Sequence, residues 1–141
     1  MRISREELKL RLVDLVAQRS TCPRANVGCA IFKDGRVVVT GYNSSPAGMD
    51  HCSDVGCLME QGKCIRTVHA EAGAISFAAR EGISLKDTEM YLTFSPCIDC
   101  AKLIVNSGIK AVYYLQQYRI VDGIILLQQA GIICERKEPN G

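Results

Sequence analysis

Three times in its second half the chain halts a regular run with the same pair: Gly82-Ile83, Gly108-Ile109 and Gly131-Ile132. Glycine takes the left-handed conformation that ends a helix, and the apolar residue after it packs back on the turn just completed. The stretches before these pairs read as helices: Ala70 to about Arg80, a run starting near Cys97, and about Asp122 to Ala130. "EMYLTF", "KAVYYL" and "IICER" read as strands. A repeated unit of helix, glycine stop and strand gives parallel strands joined by right-handed crossovers. Upstream, "VGCAIFKDGRVVVTGY" reads as a hairpin around Asp34-Gly35. Earlier still, Ser4 and Glu7 have capping-box spacing, and Leu8, Leu12, Leu15 and Val16 mark one helical face. The expected fold is α/β with three α/β/α layers. Its sheet has about five strands, mixed because of the opening hairpin, with helices on both faces.

The 141 residues suit one domain, and the composition, 48% hydrophobic, is that of a globular core. A formal charge of +2, without a basic stripe, argues against a nucleic-acid partner. No apolar run reaches membrane-spanning length, and "MRISREELKL" lacks a signal-peptide core, so the expected location is cytoplasmic, with no membrane partner. Eight cysteines are many for this length. In a reducing compartment, clustered cysteines bind metal or do chemistry more often than they form disulfides. The segment "NSSPAGMDHCSDVGCLMEQGKCIRT" has no clear period and is too long for an ordinary connection, so it needs a reason to be ordered.

Two short motifs carry the chemistry. His69-x-Glu71 falls at one helix start, and Pro96-Cys97-x-x-Cys100 at the next, with a strand between. One nitrogen and two sulfurs suit zinc with its fourth position open. Positive helix N-termini and a metal both favour thiolate over thiol. Glu71 is not needed as a ligand, and a carboxylate beside an activated water can take and return a proton. The competing reading is a closed zinc site with Glu71 an ordinary surface carboxylate. Cys-x-x-Cys alone also fits redox sites and zinc ribbons; the ordered pair of motifs is the signature of zinc nucleobase deaminases.

From these residues the chain resembles the deoxycytidylate deaminases of the zinc-dependent cytidine deaminase superfamily. "CIRTVHAE", "YLTFSPCIDCAKLI" and "SGIKAVYY" are similar to its metal-site segments, and "STCPRANVGCAIF", "TGYNSSPAG" and "QQYRIVDGIILLQQAGI" to its flanking ones. The resemblance implies a cytidine deaminase-like fold, a single deaminase domain over 1–141, and hydrolysis of deoxycytidine monophosphate to deoxyuridine monophosphate and ammonia, supplying thymidylate precursor. Glu71 would move the proton from water to ring nitrogen 3 and on to the leaving amine. His69, Cys97 and Cys100 would hold the catalytic zinc. Asn43 would bond the sugar or base, with Asn26 and Ala70 lining the pocket. Tyr118 would stack or hydrogen-bond near the nucleotide, against the alternative of core packing. Arg24 and Arg119 are the candidates for the phosphate, against solvated surface charges.

Some relatives carry a second, structural zinc. Here Cys22, Cys52, Cys57 and Cys64 would close it within a cysteine-rich insertion at about 43–68, with His51 able to replace one sulfur; the alternative is free thiols in a loop. Cys29 and Cys134 remain as buried apolar residues of strands. The resemblance also implies a homo-oligomer, often a hexamer, and regulation by deoxycytidine and thymidine triphosphates, an effector nucleotide bringing Mg2+. Ser44 stands where the family commonly has glycine, which sets that regulation apart from the chemistry. The rival functions are a deaminase of both the mono- and the triphosphate, a nucleoside or free-base deaminase, a tRNA adenosine deaminase, and a non-catalytic zinc module.

Overall fold

The computed structural model describes residues 1–23 and 25–139. Its elements in chain order begin with α1 (Arg5–Ala17), β1 (Gly28–Lys33), β2 (Arg36–Tyr42) and α2 (Cys52–Val55). Then come β3 (Met59–Glu60), β4 (Lys63–Cys64), α3 (Ala70–Glu81) and β5 (Glu89–Phe94). The last four are α4 (Ile98–Asn106), β6 (Ala111–Gln116), α5 (Asp122–Gln129) and β7 (Ile133–Arg136). The main sheet has five strands in the order β2-β1-β5-β6-β7. β1 is antiparallel to both β2 and β5, whereas β5, β6 and β7 are mutually parallel. The mixed α/β sheet expected from the sequence is therefore the one observed.

Local chemistry explains the boundaries. Asp34 and Gly35 both have positive φ, as a two-residue hairpin turn requires. The stop glycines Gly82, Gly108 and Gly131 also have positive φ. After the first, Ile83 N–H donates back to Ala78 O at 2.9 Å; after the last, Ile132 N–H donates to Leu127 O at 2.9 Å. Such a bond, with the glycine, is the Schellman stop.

One face of the sheet is covered by α3, α4 and α5. Their inner residues Ala74, Ala78, Ala101, Ile104 and Leu127 join Ile31, Met90, Leu92 and Val112 in the larger core. The two βαβ crossovers progress in one direction across the sheet, which puts α4 and α5 on the same side. The opposite face is covered by α1, where Leu10 and Val13 meet Ala30, Phe32 and Tyr91.

The buried side of α1 differs from the expected one. Leu10, Val13 and Ala17 face inward, Leu12 and Val16 are partly buried, Leu12 against that core, and Leu8 and Leu15 are 53% and 61% exposed. Gly28 is the cause. A Cβ there would lie 2.5 Å from Val13 O and 2.7 Å from Ala17 N, so the strand start seats directly on the helix backbone. That contact fixes the rotation of α1 and turns Leu8 and Leu15 outward. Leu10→Ala should cost about 2–5 kcal/mol in urea unfolding. Leu15→Ala should stay within about 0.5 kcal/mol of the parent.

Candidate metal and catalytic site

Strand direction places the site. β1 opposes both its neighbours, so β2, β5, β6 and β7 all point the same way. Their carboxyl ends share one edge, and there the chain leaves β2 for Asn43, β5 for Cys97, and β6 for Tyr118 and Arg119. Such an edge is the usual location of α/β sites.

Two helix starts meet at this edge. His69 is the N-cap of α3 and Cys97 the N-cap of α4. Cys100 follows in the first turn of α4, so both sulfurs stand on one face. His69 Nδ1 lies 3.5 Å from Cys97 Sγ and 3.4 Å from Cys100 Sγ, and the three donor atoms lie within 4.8 Å of one another. Around a tetrahedral zinc, nitrogen and sulfur ligands stand about 3.6 Å apart. The donor set and its spacing fit that ion.

Electrostatics agree with the donor roles. The Cys97 thiol is drawn down to about 3 by its contact with Cys100, with His69 adding to the effect. Cys100 is pushed up by the same sulfur contact and by burial. The pair shares one proton, which a cation would displace. His69 is raised, chiefly through Cys97. Glu71 is 4% exposed, and burial pushes its carboxyl up to about 7, although its own backbone N–H and His69 favour the charge. It also contacts the Cys100 side chain. A carboxyl raised by burial beside three potential metal donors is placed to take and give a proton.

A second cluster gathers residues from the end of α1 and the irregular segment. The sulfurs of Cys22, Cys52 and Cys57 lie within 4.8 Å of one another, and Cys64 Sγ is 3.6 Å from Cys52 Sγ. Burial opposes ionisation of Cys64, but the N–H groups of Arg66, Leu58 and Thr67, together with Cys52, bring it down to about 6. Burial and neighbouring sulfurs push Cys57 up to about 12. His51 turns away and sits 4.0 Å from Asp54 as an exposed pair. The segment that lacked a sequence period thus folds as α2 and the β3-β4 hairpin around this cluster. Cys29 and Cys134 are buried in strands, and burial raises both thiols.

The remaining predicted residues are placed as follows. Asn43 is buried, and its amide is engaged: Oδ1 accepts from Val27 N at 2.9 Å and Nδ2 donates to Ala25 O at 2.7 Å. Asn26, in the loop that this amide braces, is exposed. Ala70 is fully buried against the sheet. Tyr118 is 39% exposed and so is not a core residue; its N–H donates to Ser95 Oγ at 2.7 Å. Arg119 is exposed at the same edge. Arg24 lies outside the described residues.

Sequence reasoning missed Thr21. Its N–H donates to Asn43 O, its carbonyl accepts from Ser53 N at 3.1 Å, and its Oγ1 accepts from Ser45 N at 3.3 Å. A threonine in a loop gives no periodic or motif signal. Yet here it ties the second cluster to the Asn43 loop. Surface clefts beside the start of α1 and between α4 and α5 hold none of the predicted site residues.

A five-stranded mixed sheet with a His-Cys-Cys cluster and a buried acid at its carboxyl edge defines a zinc deaminase class. The chain belongs to that class: residues 3–116 match the family described as cytidine and deoxycytidylate deaminase zinc-binding region. It is 44% identical to ComE operon protein 2 of Bacillus subtilis (strain 168), covering 97% of this chain and 73% of that protein. It is 37% identical to the deoxycytidylate deaminase of Enterobacteria phage T4, covering 77% and 76%. The structure of dCMP deaminase from the cyanophage S-TIM5, in complex with dCMP and dUMP, superposes with a TM-score of 0.87 at 36% identity, covering 97% of this chain and 99% of that one.

The two clusters predict two bound zinc ions per chain. Cys52→Ser should reduce this to one by metal analysis. It should also lower the thermal midpoint by several degrees, because a closed site contributes folding energy.

Proposed function

We propose that this protein hydrolyses deoxycytidine monophosphate to deoxyuridine monophosphate and ammonia, feeding thymidylate synthesis. The observation that carries the reading is Glu71: a buried carboxyl, raised to about 7, in contact with Cys100 of the His69-Cys97-Cys100 cluster. Zinc, when bound there, supplies a Lewis acid that brings the pKa of water toward neutrality. His69, Cys97 and Cys100 would hold the ion. Glu71 accepts one proton of the attacking water and delivers it to ring nitrogen 3, then carries the second, from the hydroxyl formed at carbon 4, to the departing amine. One water is consumed and one ammonia released, so the proton account closes.

The deoxycytidylate relatives support the monophosphate as substrate. Asn43, with its amide already braced, holds the loop at the pocket edge, with Asn26 and Ala70 lining it. Tyr118 and Arg119 leave the sheet together, which suits a ring-and-phosphate pair, and Arg24 is the second phosphate candidate. Cys22, Cys52, Cys57 and Cys64 hold a structural zinc in a single domain over 1–141, with the insertion at about 43–68.

Copies of the chain associate, supported by the exposed Phe77, Ile98, Leu103 and Ile125 on α3, α4 and α5. Deoxycytidine and thymidine triphosphates are the candidate effectors, with Mg2+, and Ser44, in place of the family's common glycine, bears on that regulation and not on the chemistry. A cytoplasmic location belongs to the same reading; no helix among the described residues is long and apolar enough to cross a membrane.

The test is ammonia release from zinc-loaded protein with deoxycytidine monophosphate, the triphosphate, deoxycytidine and cytosine. Glu71→Gln should keep its zinc and lose about 10²–10⁴-fold in kcat. Retained turnover in that variant, or preference for deoxycytidine, contradicts the proposal. Arg119→Ala should raise KM for the monophosphate at least about tenfold while leaving deoxycytidine unaffected, as expected for loss of a guanidinium–phosphate pair.

A further inference from the structure

We infer that Gly123 and Gly41 are positioning residues of the metal centre: each lacks a side chain so that backbone carrying a metal ligand seats directly against it. The inference rests on the reading of His69, Cys97 and Cys100 as ligands.

Gly123 stands in the first turn of α5, beyond β6, and is remote from Cys97 in sequence. A Cβ at this position would overlap the Pro96 carbonyl oxygen and come within 2.9 Å of the Cys97 carbonyl carbon and oxygen. The obstructing atoms are backbone, with no flexible side chain to swing aside. Pro96 is among the fully buried residues, and Cys97 O already accepts the first helical bond of α4, from Ala101 N at 2.9 Å. The peptide is therefore held on both sides. Room for a methyl group requires α5 and the Pro96-Cys97 peptide to move apart, and any share of that shift taken by the peptide carries the Cys97 sulfur with it.

Gly41 makes the matching contact on the other ligand helix. It pairs with Cys29 and so faces α3, where the residues that meet the sheet are Ala70, Ala74 and Ala78. A Cβ on Gly41 would lie 2.5 Å from Ala70 O and 3.0 Å from Ala74 N, wedging against the first turn of α3, which His69 caps. The two glycines thus set the two helix starts from different elements. Gly73 gives the contrast. It lies in the same helix, but a Cβ there meets nothing closer than Val68 Cγ1 at 3.9 Å.

Ligand geometry is sensitive to such support: changes in the residues that orient metal ligands typically cost about 10–100-fold in metal affinity. Gly123→Ala and Gly41→Ala should each lose zinc to a chelator about tenfold faster than the parent from one of the two sites. They should also shift the thiolate-to-cobalt absorption of the cobalt-substituted protein. Gly73→Ala should match the parent in both. Cys97→Ser, measured alongside, identifies which fraction belongs to this site. If either glycine variant does not fold, the other decides by the same readout.

Parental release rates and cobalt spectra in the folded variants overturn the inference, even if the thermal midpoint falls, because the glycines would then serve packing alone. A parent holding no more zinc than Cys97→Ser removes the ligand reading itself, and this inference with it.

Discussion

Everything at the site depends on four strands ending at one edge. The Asp34-Gly35 hairpin reverses β1 against its neighbours, so β2 runs with β5, β6 and β7. Without that reversal, the Asn43 loop would leave the opposite end of the sheet from Cys97. With it, two helices begin side by side, and their N-terminal residues supply a histidine and a cysteine to one point. Helix N-termini favour thiolate and anionic ligands, and so does the cation that the donors fit. Backbone geometry, local dipole and ligand identity therefore favour the same charge state.

The two cysteine clusters stand in different surroundings. The first has three donors at zinc spacing beside a buried carboxyl. The second brings four sulfurs together, and it gathers α2 and the short hairpin, which bury little core of their own. Thr21 connects them, since its three hydrogen bonds join the cysteine segment to Asn43, and Asn43 in turn braces residues 25–27. Val68, next to His69, exchanges two backbone bonds with Ser44, at 2.7 and 3.3 Å. An ion bound by the second cluster would thereby brace the rim of the first without touching it.

Most of this was legible wherever local chemistry and tertiary structure agree. The Gly-Ile stops, the hairpin turn and the strand "EMYLTF" are local signals, and the structure places them where the sequence does. The His-x-Glu and Pro-Cys-x-x-Cys motifs were readable because helix starts put their residues on one face. The inward side of α1 was not, because counting leucines cannot register the Gly28 contact with Val13 and Ala17 that sets the helix rotation. Thr21, Gly41 and Gly123 escaped for the same reason. Their importance lies in what approaches them from elsewhere in the chain, and no periodicity records it.

The most direct test of the account is anomalous diffraction at the zinc edge from crystals of the zinc-loaded protein. The account predicts two peaks per chain. One is ligated by His69, Cys97 and Cys100, with a non-protein fourth ligand on the side of Glu71; the other is enclosed by Cys22, Cys52, Cys57 and Cys64. A first site closed by a fourth protein side chain, or no peak between His69 and the Cys97-Cys100 pair, would contradict it.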